Sequence, residues 1–402
     1  MLKLCASGVS EHRNGANLAR AGKRLVATAV VISTLLVGGA FASPELGTGK
    51  AEPSAPIKER STEPTFTITA GLDGEIFPVF ANYASLRKPR DRQWGTVSVR
   101  VTNSTDKLLK ARITVQVPGW SDQEIQLVEL AAGVSRAYLF APSFLPRLYR
   151  NKEIVAATAL VSVTDMAGKP LSSETVPVRL RSAGDMYWGR DFKYASFIAS
   201  WVTPHDPKVE QVLSAAKEMT PKRRLPGYEA SRSVAAQERS TYTQARAIYR
   251  ALQQKGISYV KSSLTFGGHQ DVSERVRMPG ESLHQVSANC IDGAVMYASL
   301  FENLGMDPVV VLVPGHAYVG VRVAKRADKY LFLETSLTGR ATFEQAVKSA
   351  TLGLARVAPA DIIRIGISEA RLDGIYPMPS PAHTMDSPEA VPVQLGSKKA
   401  RP

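Results

Sequence analysis

From Thr65 to about Ala183, apolar and polar residues alternate with period two. Val97-Ser-Val-Arg-Val-Thr-Asn103, Arg112-Ile-Thr-Val-Gln-Val117 and Val176-Pro-Val-Arg-Leu180 show it most clearly. Such alternation marks half-buried strands. Glu124–Glu129, Ser135–Phe140 and Ile154–Thr164 read as further strands, with turn residues at Asn103-Ser104, Pro118-Gly119, Ala132-Gly133 and Ala167-Gly168. Several short strands at this spacing predict a β-sandwich over residues 65–183, immunoglobulin-like in architecture.

The pattern changes at about Met186. Asp206-Pro207 has the grammar of a helix start, with Asp206 at the N-cap and Pro207 at N1. That helix should run to about Glu218 with Val209, Val212, Leu213 and Ala216 inward. A second is predicted over Thr241–Gln254, stopped by Gly256 at C′. The stretch from Cys290 to Leu304 is apolar almost all round, apart from a stripe of Asp292, Ser299 and Asn303 and from Glu302, which breaks the pattern near the end; this predicts a central, buried helix. Val309–Val313 reads as a buried strand. From His316 the chain alternates again, with His316, Tyr318, Gly320 and Arg322 on one face. Tyr330, Phe332 and Glu334 share a face of the next strand. A hairpin with His316 opposite Glu334 would then pair Tyr318 with Phe332, Gly320 with Tyr330 and Arg322 with Asp328, leaving a five-residue loop from Val323 to Ala327. A further helix is expected after Thr338, and Ala358–Ile367 should close the domain.

Composition narrows the setting. The chain of 402 residues has room for two domains, and its 44% hydrophobic share is that of a globular protein. Part of the net charge of +14 belongs to a leader: Lys3, Arg13, Arg20, Lys23 and Arg24 precede Leu25–Ala42, which carries no charge. Ala40-Phe41-Ala42 is a small-x-small cleavage signal. Residues 1–42 are therefore expected to be a signal peptide, or a signal anchor if uncut, and the rest exported to the periplasm or cell envelope. Membrane contact is expected only in the anchor case. Residues 43–64 read as a flexible linker and 378–402 as a disordered tail. The remaining positive charge is scattered, densest at Lys222-Arg223-Arg224. No nucleic-acid motif accompanies it, so nucleic acid is not an expected partner.

Of the two cysteines, Cys5 lies in the leader, leaving Cys290 as a lone thiol. A single thiol in an exported chain is a candidate reactive thiol or intermolecular link, with a buried structural cysteine as the alternative. Asn289 is a good N-cap, which places Cys290 at N1 and Asp292 at N3 of its helix. The helix start favours a thiolate, while Asp292 opposes it. Cys290, His316 and Glu334 supply in order a nucleophile, a base and an orienting acid. The Cys290 N–H would be one oxyanion donor, with Gln285, His284 and Asn289 as candidates for the second. There is no His-Glu-x-x-His or Cys-x-x-Cys, Gly267-Gly268 reads as a turn, and neither metal nor cofactor is expected.

Asn-Cys-Ile-Asp-Gly from Asn289, Val-Pro-Gly-His-Ala-Tyr-Val-Gly from Val313 and Leu-Glu-Thr from Leu333 resemble a bacterial branch of the transglutaminase-like (papain-like cysteine peptidase) superfamily. Trp201-Val-Thr-Pro204, Gly256-Ile-Ser-Tyr259 and Arg275-Val-Arg-Met-Pro279 add to the resemblance, which covers about Ala195 to Arg340. It implies an α+β domain over residues 184–377, with the cysteine on a central helix packed against an antiparallel sheet that bears the histidine and acid. Glutamate stands at 334 where many members have aspartate. The implied activity is thiol-dependent acyl transfer on a peptide or protein, cell-envelope material included. Hydrolysis by a cysteine peptidase or amidase is the expected reaction, with a cross-linking transamidase or a non-catalytic scaffold as alternatives.

Overall fold

A computed structural model describes residues 63–230, 232–261 and 273–379. The leader, the linker as far as residue 62, Gly267-Gly268, His269, and the tail from residue 380, with His383, lie outside the described residues. The fold is mixed α+β.

The amino-terminal half runs β1 (Thr65–Ala70), β2 (Glu75–Ile76), α1 (Pro78–Ser85), β3 (Val97–Thr102), β4 (Leu109–Gln116), β5 (Glu124–Leu130), β6 (Ser135–Phe140), β7 (Val155–Asp165) and β8 (Pro170–Leu180). Two sheets result, one in the order β1-β3-β6 and one in the order β2-β8-β7-β4-β5. Val97, Val99 and Val101 from the first share a core with Ile113, Val115, Val161 and Val163 from the second. The alternating residues thus place their apolar halves between the sheets, as period two requires.

Helix α1 was not foreseen within this span. Pro78 starts it, its missing N–H being harmless at that position. Val79 and Phe80 turn away from the sheets into the carboxy-terminal core, where the Phe80 ring meets Phe197 edge-on at 4.8 Å between centroids. Ala81 packs into the core between the sheets. Because α1 serves two cores, its apolar residues mimic a strand in sequence.

The carboxy-terminal half continues with β9 (Asp185–Tyr187), α2 (Pro207–Glu218), α3 (Val234–Gln254), β10 (Ser258–Tyr259), β11 (Ser273–Arg275), α4 (Pro279–Gln285), β12 (Ser287–Ala288), α5 (Cys290–Asn303), β13 (Pro308–Val313), β14 (His316–Arg322), β15 (Tyr330–Leu333), α6 (Phe343–Leu354), β16 (Ile363–Gly366) and α7 (Ile367–Leu372). Asp206 caps α2 as expected, accepting from the Lys208 N–H at 2.8 Å. Helix α3 begins about two turns earlier than Thr241. Its first turns, Val234 included, are exposed or half-buried, so the buried stripe starts late.

Four antiparallel strands form the sheet β15-β14-β13-β16. Ala317, Val319 and Val321 share the large core with α5, while Val311 and Tyr318 pack with Ala350 and Leu354 of α6. Helix α5 is central, with Tyr297 and Leu300 fully buried. Two residues of its polar stripe are satisfied by one neighbouring segment. The Ser299 hydroxyl accepts from the Thr203 N–H at 2.9 Å, and Asn303 Nδ2 donates to the Pro204 carbonyl at 2.8 Å.

The β14–β15 register differs by two residues from the expected one. Gly320 lies opposite Phe332 and Arg322 opposite Tyr330, so neither His316–Glu334 nor Arg322–Asp328 is a cross-strand pair. Gly320 faces an aromatic in either register, and the observed one gives it Phe332 in place of Tyr330. A Cβ there would stand 2.7 Å from the Phe332 ring, so the aromatic occupies the space the glycine leaves. Arg322 then lies over the Tyr330 ring at 5.1 Å and pairs with Asp307 rather than Asp328. A shift of two preserves the faces, so His316 and Glu334 remain on one side of the sheet.

Candidate active site

Asn289 sets up the start of α5. Its side chain accepts from the Asp292 N–H at 2.7 Å, and Asp292 Oδ2 accepts from the Asn289 N–H at 3.3 Å. The two bonds make a capping box, and Cys290 stands at N1 as expected. The Cys290 N–H is one of the amides that a helix start leaves without an intrahelical acceptor.

Asp292 does not stand alone beside the cysteine. The Arg277 N–H and Nε donate to its two oxygens at 2.8 and 2.9 Å, in a pair whose Asp292 side chain is 1% exposed. Burial raises the Asp292 pKa, and Arg277 and the Asn289 amide oppose that rise. The negative charge that sequence reasoning set against a thiolate therefore has a guanidinium partner. Arg277 lies fifteen residues upstream, and nothing in the local pattern announces the pairing.

His316 is positioned by the β13–β14 turn. Val313 pairs with His316 across Pro314-Gly315, and Gly315 has φ +73°. Proline followed by a residue with positive φ is the pattern of a type II turn. The imidazole begins the strand and stands edge-on to Tyr318 at 4.7 Å between centroids. Its Nε2 lies 2.7 Å from Glu334 Oε2, and its side chain hydrogen-bonds Cys290. With Nε2 engaged by the carboxylate, Nδ1 is the nitrogen left for sulphur.

Glu334 leaves the ladder just beyond β15. Its N–H donates to the Ala346 carbonyl of α6 at 3.2 Å. Oε1 accepts from the Ser336 N–H at 3.1 Å and the Ser336 hydroxyl at 2.7 Å, so both carboxylate oxygens have donors. The turn after it is anchored from below: Thr335 Oγ1 donates to the Cys290 carbonyl at 3.3 Å, Thr338 Oγ1 to the Thr335 carbonyl at 2.7 Å, and Tyr249 to the Leu337 carbonyl at 2.8 Å. Gly293 leaves room for Thr335, since a Cβ there would come within 2.5 Å of its hydroxyl. Gly293 and Thr335 stood in the quoted motifs without a role, and Ser336 was not singled out from sequence, although a serine two residues after an acid is a local side-chain-to-backbone signal.

Burial lowers the His316 pKa, but hydrogen bonds to Cys290 and Glu334 and the charges of both more than reverse that, raising it to about 9. Burial acts upward on Glu334, yet His316 and Ser336 bring its pKa below the usual carboxylate value. Tyr259 adjoins the group as well: burial first, then the Cys290 and Glu334 charges, raise its hydroxyl pKa.

The three residues nominated as a triad are thus brought together. The second-donor candidates fare differently. Gln285 is committed elsewhere: its Oε1 accepts from Arg277 at 2.6 Å and its Nε2 donates to Glu281 at 3.2 Å. Gln285 and His284 both line a separate cleft rather than the cysteine. Asn289 Oδ1 serves as the helix cap. No protein-family model matches the chain, and no curated protein shows a significant match.

Proposed function

We propose that the chain is an exported thiol-dependent acyl-transfer enzyme of transglutaminase-like architecture, acting by hydrolysis on peptide or isopeptide amides. On this reading the amino-terminal sheets form an immunoglobulin-like sandwich that supports the cysteine domain. The observation that carries the reading is the chain of contacts from Cys290 at a capped helix start, through His316, to Glu334 at 2.7 Å.

His316 takes the thiol proton on Nδ1, and the resulting imidazolium donates Nε2–H to ionised Glu334. Sulphur attacks the amide carbonyl, and the oxyanion takes the Cys290 N–H. The intermediate collapses as Nδ1–H protonates the departing amine, leaving a thioester and a neutral imidazole. His316 then takes a proton from water, hydroxyl adds to the thioester, and thiolate leaves to restore the pair. An amine in place of water would make the product a cross-link.

The test is capture of the thioester. Mature protein is incubated with exported proteins and cell-wall fragments, quenched in acid and mapped by mass spectrometry. An acyl adduct on Cys290, absent from Cys290→Ala, is the expected result. Cys290 is 8% exposed, which is the observation favouring a non-catalytic scaffold. A thiol that no alkylating reagent reaches until the chain unfolds, together with no adduct from any pool, would favour that second reading.

A further inference from the structure

A cleft of about 820 Å³ opens where the amino-terminal half meets α2 and α4, and neither Cys290 nor His316 lines it. Its volume falls within the range of small-molecule sites, about 300–1,000 Å³. The lining is largely apolar, with Tyr149, Val276 and Met278 among its residues. Around them stand five cationic side chains, Arg150, Lys152, Lys208, Arg275 and Arg277, against two carboxylates, Asp206 and Glu281.

Most of these charges are already answered. Asp206 caps α2, and Glu281 accepts from Lys152 at 2.9 Å. Arg275 donates to the Lys152 carbonyl at 2.7 Å, and Arg277 holds Asp292. Arg150 and Lys208 remain, one from each half of the molecule. Among the described residues neither side chain has an ion-pair or hydrogen-bond partner. An apolar lining with two uncommitted cations matches a ligand that joins an apolar body to an anionic end.

We infer that this cleft binds a small amphipathic carboxylate, its apolar body against Tyr149, Val276 and Met278 and its carboxylate on Arg150 and Lys208. A neutral ligand would leave both cations unused. The reading is independent of the chemistry at Cys290.

Calorimetric titration of the whole protein with decanoate and with decan-1-ol separates charge from apolar contact. Saturable one-site binding of decanoate is expected, about tenfold or more tighter than decanol at low salt. Arg150→Ala and Lys208→Ala should each weaken decanoate about three- to tenfold and leave decanol unchanged. Arg150 is exposed and Lys208 half-buried, so unchanged melting curves are the control for folding. Decanoate bound no more tightly than decanol would overturn the assignment. So would decanoate affinity that neither substitution moves.

Discussion

His316 holds its proton more tightly in the folded chain than in the unfolded one, with a midpoint raised to about 9 from 6.5. The stability it contributes is fully present below 6.5 and is lost as pH rises through 9. Glu334 is shifted downward, so its contribution is present above the unfolded value of 4.5 and is lost as pH falls through the folded one. Glu334→Gln removes the partner charge and should bring the imidazole midpoint back toward 6.5, followed by NMR titration of the ring. On the proposed mechanism it should also slow acyl transfer by about a hundredfold or more. A midpoint left near 9 would mean that Glu334 does not hold the imidazolium. Glu274 adds a second trend: burial above all, then the Asp292 charge, raises its pKa to about 8. A carboxyl that stays protonated when folded but ionises when unfolded destabilises the chain as pH rises from 4.5 to 8. Glu274→Gln should therefore stabilise the protein at pH 8 by on the order of a few kcal/mol, while leaving stability near pH 4 almost unchanged. Denaturant midpoints at the two pH values decide it. The cysteine, histidine and acid were legible in sequence because their types and order are unusual in combination. Arg277 was not, since an ion pair with Asp292 across fifteen residues leaves no periodic trace.

Elements were legible wherever their period was unmixed. The alternating strands, the cap of α2 and the capping box of α5 follow from neighbours in the chain. The β14–β15 register does not, because Tyr330 and Phe332 both suit the space over Gly320, and Arg322 finds its carboxylate at Asp307, outside the strand pair. The cross-strand neighbour of His316 is displaced two residues beyond Glu334 by this register, so the acid reaches back diagonally. Diagonal neighbours sit about 7–8 Å apart. The extra methylene of glutamate over aspartate suits that span. Gly320→Ala should cost about 1–3 kcal/mol by pushing Phe332 from its place. Adding Phe332→Ala should recover part of that loss, a non-additivity that a double-mutant cycle in urea would measure. At the start of α5, Asn289→Ala should cost about 1 kcal/mol through loss of the cap. Arg277→Leu should cost more, about 3–5 kcal/mol, since it leaves Asp292 buried without its cation.

At the scale of the molecule, two cores share α1. Phe80→Ala should cost about 3–5 kcal/mol, and the loss should appear in one transition when far-ultraviolet circular dichroism and tryptophan fluorescence are followed together. Two separated transitions would show that the halves unfold independently. A chain begun at residue 184 would lack α1 altogether and should melt well below the whole protein. No helix among the described residues is long and apolar enough to cross a membrane.

The bonds around α1 also carry a consequence in time. Arg87 donates to the Asp373 carbonyl at 2.7 Å, and Asn82 Nδ2 to the Pro377 carbonyl at 3.4 Å, partners 286 and 295 residues away. At a synthesis rate of about 5–20 residues per second, Pro377 follows Asn82 by about 15–60 s. For that interval Arg87 and Asn82 lack these partners, although Phe197 follows Phe80 much sooner. The cysteine-bearing core closes only when the last of its sequence has arrived, so a chain cut short upstream carries its thiol without the frame around it. The order of the polypeptide thus acts as a timer on the site.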